Sequence, residues 1–309
     1  MRIAVMGSGA VGGYFGAKLA AAGNPVAFIA RGKHLAAMQA SGLRVNSPNG
    51  DLEVRQAQFT DGPETLGQVE LVLFCVKSYD TESAAKSIAP LLSERSQILS
   101  LQNGIDNPDK LARIYGANKV LPGVVYIGAQ LSAPGVITHS MGGKIIFGQM
   151  DGAVGDSAKD LLRALTAAGI PSEASAAIRR VQWSKLLWNA PFCAISCLSR
   201  ANTREIVESA SLSRLARDCM AEVQAAARTQ DIELPPGLFD EVMSFSRAMG
   251  EFKPSMLQDL EAGKPLEYDA FNGGVVKALE ANGQAAPLNS SFFAMLKFLD
   301  QRIRGEAGR

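Results

Sequence analysis

The chain opens MRIAVMGSGAVGGYFGAKLA, and this run constrains the fold more than any other segment. RIAVM reads as a short apolar strand. Gly7-Ser8-Gly9-Ala10-Val11-Gly12 follows as G-x-G-x-x-G, and Val11–Ala22 reads as a helix. A glycine pattern placed between a strand and a helix is the context that a dinucleotide-binding turn requires. Gly7 permits the tight turn, Gly9 lets a pyrophosphate approach the backbone, and Gly12 lets the helix lie close on the strand. The helix start at Ala10 and Val11 offers N–H groups and a positive dipole end to phosphate. An ordinary glycine-rich turn is the plainer reading, and the flanking strand and helix weigh against it.

The segments that follow repeat this alternation. PVAFIA, VELVLFCV, QILSLQ and KVLPGVVYI are further strand candidates, with helices expected at His34–Ala40 and Asp80–Leu92. Nearly continuous apolar strands alternating with helices predict a parallel α/β sheet. LRVNSPNGDLEVRQAQF reads as a hairpin insertion about its PNG. GVITHSMGGKIIFGQ reads as a second antiparallel pair joined at Gly142-Gly143. A helix at Ser157–Ala168 and an edge strand near Pro171–Ala174 complete a first domain over residues 1–175. From residue 176 to 309 the strand signals fade. Helices are expected at Ile178–Leu198, Ser211–Gln230, Gly237–Arg247, Tyr268–Ala281 and Ser290–Arg304, an all-helical second domain with a frayed GEAGR tail.

Strand two ends FIAR. An NAD site places Asp or Glu about twenty residues past the glycines, on the ribose 2′-hydroxyl. Here Arg31 stands there with Lys33 close by, and no carboxylate follows until Asp51. A guanidinium can grip a 2′-phosphate with forked hydrogen bonds, so NADP(H) is preferred to NAD(H). A solvated surface arginine is the bland alternative. Lys77, in CVKSYDT, and Asn103, in SLQNG, fall beyond the carboxyl ends of strands, where open α/β sheets bind ligands. Asn-Gly is equally ordinary turn chemistry, so Asn103 reads both ways.

In the helical half, WSKLLWN places Lys185 and Asn189 four apart on one face, with Cys193 and Cys197 extending it. Pro191 lies inside this helix and should kink it. A snorkelling surface lysine would explain Lys185 without chemistry. Beside a nicotinamide domain, a desolvated lysine has a second use. Ketone reduction needs a proton as well as a hydride, and burial lowers a lysine's pKa toward the useful range. Ser255 precedes the helical SMLQDLEAG, and Glu267 opens the helix after it. A carboxylate there serves equally as a dipole partner or as a group facing the site. Cys193 reads either as lining the site or as a packed thiol. His34 and His139 sit in no metal-like cluster and receive no role.

With 31 basic and 30 acidic residues and a formal charge of +1, the chain shows no nucleic-acid surface. Its 47% hydrophobic content fills a real core. Four cysteines without CxxC or zinc spacing read as free thiols. No membrane span and no signal layout are evident, so a cytoplasmic setting is expected, without metal.

Taken in order, GxGxxG, the strand-two arginine, VKxYDT, QNG, WxKLxxN and SMLQDLEAGKPLE resemble the ketopantoate reductase (2-dehydropantoate 2-reductase) family over essentially the whole chain. The resemblance implies a Rossmann domain followed by a helical domain, with the site in the cleft between them. It implies NADPH-dependent reduction of 2-dehydropantoate to pantoate, a step toward pantothenate and coenzyme A. By motif, Lys185 matches the general acid and Glu267 the carboxylate that supports it. Asn103, Asn189 and Ser255 match substrate-positioning groups. Gly7, Gly9, Ala10, Val11, Gly12, Arg31, Lys77 and Asn103 match cofactor contacts. The expected partner is a small 2-oxo acid, with neither nucleic acid nor membrane, and a homodimer is compatible with the chain. One departure stands out: Cys193 occupies the place where the family often has a second asparagine. A thiol is a poorer hydrogen-bond partner than an amide, which opens the alternative of a paralogue acting on a related 2-oxo acid. Two further readings are a 3-hydroxyacid dehydrogenase of the 6-phosphogluconate type and an NADP-binding sensor without turnover.

Overall fold

A computed structural model describes residues 1–305; residues 306–309, within the tail expected to fray, lie outside the described residues. The chain divides into two compact units. The first comprises residues 1–103 and 107–178, and the second residues 104–106 and 179–309.

Within the first unit the elements run β1 (Ile3–Met6), α1 (Ala10–Ala21), β2 (Val26–Ile29), α2 (Gly32–Ser41), β3 (Leu43–Asn46), β4 (Leu52–Val54), β5 (Gln58–Thr60), β6 (Val69–Phe74), α3 (Thr81–Ser87), β7 (Leu92–Ser100), α4 (Asn107–Tyr115), β8 (Val120–Ala133), β9 (Val136–Phe147), α5 (Asp156–Ala167) and β10 (Ser172–Ala174). The strands form one sheet in the order β4-β3-β9-β8-β7-β6-β1-β2-β5, with β10 alongside β9. From β8 through β7, β6, β1 and β2 to β5 every pairing is parallel. The central strands earn that place by composition: IAVM and VAFI are buried at every position, as strands covered on both faces must be. Beyond β8 the sheet turns mixed, with β8–β9 and β3–β4 antiparallel.

Two expectations change here. GVITHSMGGKIIF is a single strand, β9, paired along its length with β8. The chain reverses instead at Pro134-Gly135, where Gly135 has φ +76°. Gly142 and Gly143, at φ +72° and +109°, absorb a register shift opposite Tyr126 and Ile127. A glycine pair suits a bulge as well as a turn, because both need the left-handed region. The helix expected over Asp80–Leu92 stops at Ser87, since Pro90 cannot donate and disfavours helix in the residue before it. The nine-residue α4, with Pro108 in its first turn, is hidden in the sequence by its polar composition.

The second unit is helical: α6 (Ile178–Ser199, entering from the first unit's last residue), α7 (Thr203–Glu208), α8 (Ala210–Arg228), α9 (Leu238–Ala248), α10 (Ser255–Glu261), α11 (Gly274–Glu280) and α12 (Pro287–Ile303). Its core gathers Leu186, Leu187 and Phe192 of α6, Met220 and Val223 of α8, and Phe292 and Leu296 of α12. α6 runs its 22 residues through Pro191. A reciprocal pair of bonds between Asn202 and Glu205 caps the short, unanticipated α7. The helix expected from Tyr268 begins as a π-helical turn, Asp269–Gly273, before α11.

A Cβ at Gly142 would collide with the Tyr126 carbonyl, and the backbone there is left-handed. Gly142→Ala is therefore expected to destabilise the first unit by about 1–3 kcal/mol, read by circular dichroism as a lower urea midpoint. Gly50→Ala, left-handed but in open space, should cost less.

Candidate active site

The glycine turn has the shape that a pyrophosphate needs. Gly7 has φ +92°, and a Cβ there would lie 2.8 Å from Val76 N. A Cβ at Gly12 would strike the Gly7 carbonyl. At Gly9 the same atom would meet nothing within 4 Å, so the space beside the helix start is open. The first turn of α1, Ala10 and Val11 included, carries no acidic residue to repel phosphate. These residues fit a dinucleotide.

Arg31 stands between β2 and α2 with its side chain 74% exposed, and its Nη2 lies 3.1 Å from Asp80 Oδ2. Strand order explains the pairing: β2 and β6 flank β1, so the residues beyond their carboxyl ends meet. A search along the chain for a carboxylate near Arg31 misses Asp80, although VKSYDT sits at the end of the right strand. An exposed pair of this kind contributes about 0–1 kcal/mol, so Asp80 does not tie up the guanidinium.

Lys77, half-buried, stands between β6 and a 3₁₀ turn at Ser78–Asp80. Asn103, also half-buried, follows β7, and Gly104 after it has φ +88°. A buried ring of hydrogen bonds joins these two rims. Gln102 Nε2 donates to the Val76 carbonyl at 3.1 Å and to Thr81 Oγ1 at 2.7 Å. Thr81 Oγ1 lies 2.9 Å from Asn107 Oδ1, and Asn107 Nδ2 donates to the Asn103 carbonyl at 2.7 Å. Lys77 and Asn103 thus project from backbone fixed on both sides. Sequence reasoning missed Gln102, Thr81 and Asn107, because nothing local distinguishes a buried amide or hydroxyl from an ordinary turn residue.

In the second unit, α6 carries Lys185, Asn189 and Cys193 at steps of four. Asn189 is 5% exposed and Cys193 is fully buried. Burial pulls the Lys185 ammonium down from the usual lysine value to about 8, while Cys193 and Glu267 act to raise it. Lys185 therefore feels the charge of both Cys193, two turns along α6, and Glu267. Glu267 is 4% exposed, and its carbonyl accepts from Ala270 and Phe271 at the start of the π turn. Such turns are rare and concentrate at functional sites. Asn272, inside the turn, donates to the Ala190 carbonyl of α6 at 3.2 Å and to Asn289 Oδ1 at 2.9 Å. Glu222 holds Asn289 in turn through Nδ2 at 2.7 Å. The segment that carries Glu267 is therefore pinned to the helix that carries Lys185. Trp188 takes another face, stacking on Phe192 and donating to Ser246 Oγ at 2.9 Å. Ser255 opens α10 with its side chain exposed.

Comparison with known proteins agrees across the chain. Residues 3–152 match the model for ketopantoate reductase PanE/ApbA, and residues 177–300 match ketopantoate reductase PanE/ApbA, C terminal. A 2-dehydropantoate 2-reductase of Archaeoglobus fulgidus is 34% identical, covering 98% of this chain and 99% of its own. One of Mesorhizobium japonicum is 31% identical, covering 97% and 98%. A crystal structure of a PanE/ApbA family ketopantoate reductase from Ralstonia eutropha superposes with a TM-score of 0.92 at 33% identity, covering 98% of this chain and all of that one. The chain belongs to the ketopantoate reductase PanE/ApbA family.

Proposed function

We propose that this chain reduces 2-dehydropantoate to pantoate with NADPH, a step toward pantothenate and coenzyme A. The reading is carried by Lys185, half-buried on α6 one turn from the buried Asn189, with its pKa lowered by burial and raised by the charge of the buried Glu267, in a chain whose other unit bears a phosphate-ready glycine turn. Bound NADPH supplies the hydride. Gly7, Gly9, Gly12 and the N–H groups at Ala10 and Val11 would hold its pyrophosphate, and Arg31 its 2′-phosphate. Lys77 and Asn103 would orient it and the substrate at the strand ends.

Lys185 donates the proton that the carbonyl oxygen takes up as the keto carbon is reduced, and is left as a neutral amine. Electrons and atoms then balance: one hydride and one proton convert the ketone to an alcohol. With its pKa near 8, Lys185 is largely protonated at neutral pH yet releases its proton readily. Reduction should slow as pH rises through about 8, where the acid is lost. The Glu267 carboxylate favours the charged amine and would accept a hydrogen bond from the product hydroxyl. Asn189, one turn from Lys185, and Ser255 would position the substrate.

Turnover is measured as NADPH consumption over a panel of 2-oxo acids. The reading predicts that 2-dehydropantoate gives the highest kcat/KM. Lys185→Ala should lower kcat by about 10²–10⁴-fold, with NADPH affinity within about twofold of the parent. Preference for another 2-oxo acid would make the chain a paralogue, with Cys193 the first place to look. A variant that turns over normally would remove Lys185 from the acid role.

Arg31→Ala tests the cofactor choice. Loss of a charged, forked contact should weaken NADPH by about 10–100-fold and leave NADH within about twofold. Equal weakening of both would place the 2′-phosphate elsewhere.

A further inference from the structure

We infer that His34 is a positioning residue for the cofactor turn, holding the Ser8 carbonyl and so setting NADPH affinity; the inference rests on the cofactor reading above. His34 is the third residue of α2, and its ring bridges two backbone groups far apart in sequence. Nε2 lies 2.8 Å from the Ser8 carbonyl oxygen, and the Gly135 N–H donates to Nδ1 at 2.9 Å. A carbonyl can only accept and an N–H can only donate. The proton is therefore on Nε2 and the lone pair on Nδ1, so the hairpin turn between β8 and β9 dictates the tautomer that faces the glycine turn. Gly135 is itself fixed: its carbonyl accepts from Arg44 N at 2.9 Å.

Ser8 is the one residue of the Gly7-Ser8-Gly9 turn with a side chain, and it is 1% exposed. Its N–H donates to the Ile29 carbonyl at 3.0 Å, and its hydroxyl reaches the same carbonyl at 3.1 Å. Those bonds anchor Ser8 to the end of β2. His34 anchors the remaining backbone group, on the side of the turn leading into α1. Gly7 and Gly9 bring little conformational preference of their own, so the turn's shape rests on these bonds. A turn already held loses less freedom when a ligand orders it, which appears as affinity. His34 touches no reacting atom in this scheme, so its effect falls on cofactor binding and not on turnover.

The test uses the full chain and NADPH itself, titrated by fluorescence, with kcat at saturating cofactor. His34→Asn keeps an acceptor for Gly135 but is too short to reach Ser8. His34→Gln restores a donor at the Ser8 carbonyl. His34→Asn should raise the NADPH Kd by about three- to tenfold, the worth of one hydrogen bond, with kcat within about twofold. His34→Gln should recover most of the lost affinity, which a merely structural role for the ring would not allow. A Kd for His34→Asn equal to the parent's, or a loss in His34→Gln as large as in His34→Asn, overturns the inference. If His34→Asn fails to fold, His34→Gln alone decides: a Kd within about twofold of the parent supports the role, and a loss of fivefold or more overturns it. A parent protein that binds no NADPH would sink the cofactor reading instead, and is told apart by that titration alone.

Discussion

The site depends on the cost of keeping an ammonium out of water. Lys185 is set in a helix whose neighbours are the apolar core of the second unit, and the loss of hydration lowers its proton affinity to about 8. Unfolded, the same group holds its proton up to about 10.5. Between those values the unfolded chain binds more protons, so this residue opposes folding below about pH 8 and the penalty fades as pH rises through the window. A chain tolerates such a residue when the strain serves a purpose and the surroundings enforce it. The surroundings that hold it are visible: the negative charge of Glu267 offsets part of the penalty by favouring the charged amine, and Asn272 ties the turn after Glu267 to α6 through the Ala190 carbonyl.

The first unit works by a different constraint, the geometry of backbone. Strands that end side by side bring Gly7, Arg31, Lys77 and Asn103 to one edge of the sheet. The ring through Gln102, Thr81 and Asn107 and the bridge made by His34 belong together in this respect. Each uses a buried or half-buried side chain to satisfy and immobilise a main-chain group next to a candidate ligand contact.

The Rossmann-type order and the helical second half were legible because each rests on local pattern. IAVM before G-x-G-x-x-G, apolar runs of four to six, and a proline or glycine at most helix ends suffice for that. What escaped had a common cause. Gly142-Gly143 reads identically as turn or bulge, and only the partner strand decides. α4 and α7 are short and polar, nine and six residues, so little apolar sequence marks them as helices. The π turn after Glu267 depends on contacts with α6 that no window of sequence contains. In the candidate site, residue type and spacing single out Lys185 and Asn189, whereas Glu267 at a helix start reads equally as a dipole partner and takes its place from the family resemblance. Asp80 beside Arg31 could not, since strand order had to be known first. His34 is not legible in the sequence either, because a histidine that holds two backbone groups carries no motif.

The central claim is that the Lys185 amine is desolvated and titrates far below a surface lysine. The direct measurement is an NMR pH titration of lysines labelled at Cε, with the Lys185 signal assigned by its disappearance in Lys185→Arg. The account predicts a midpoint near 8 for that signal. A Lys185 midpoint at the ordinary value of 10.5 would contradict it.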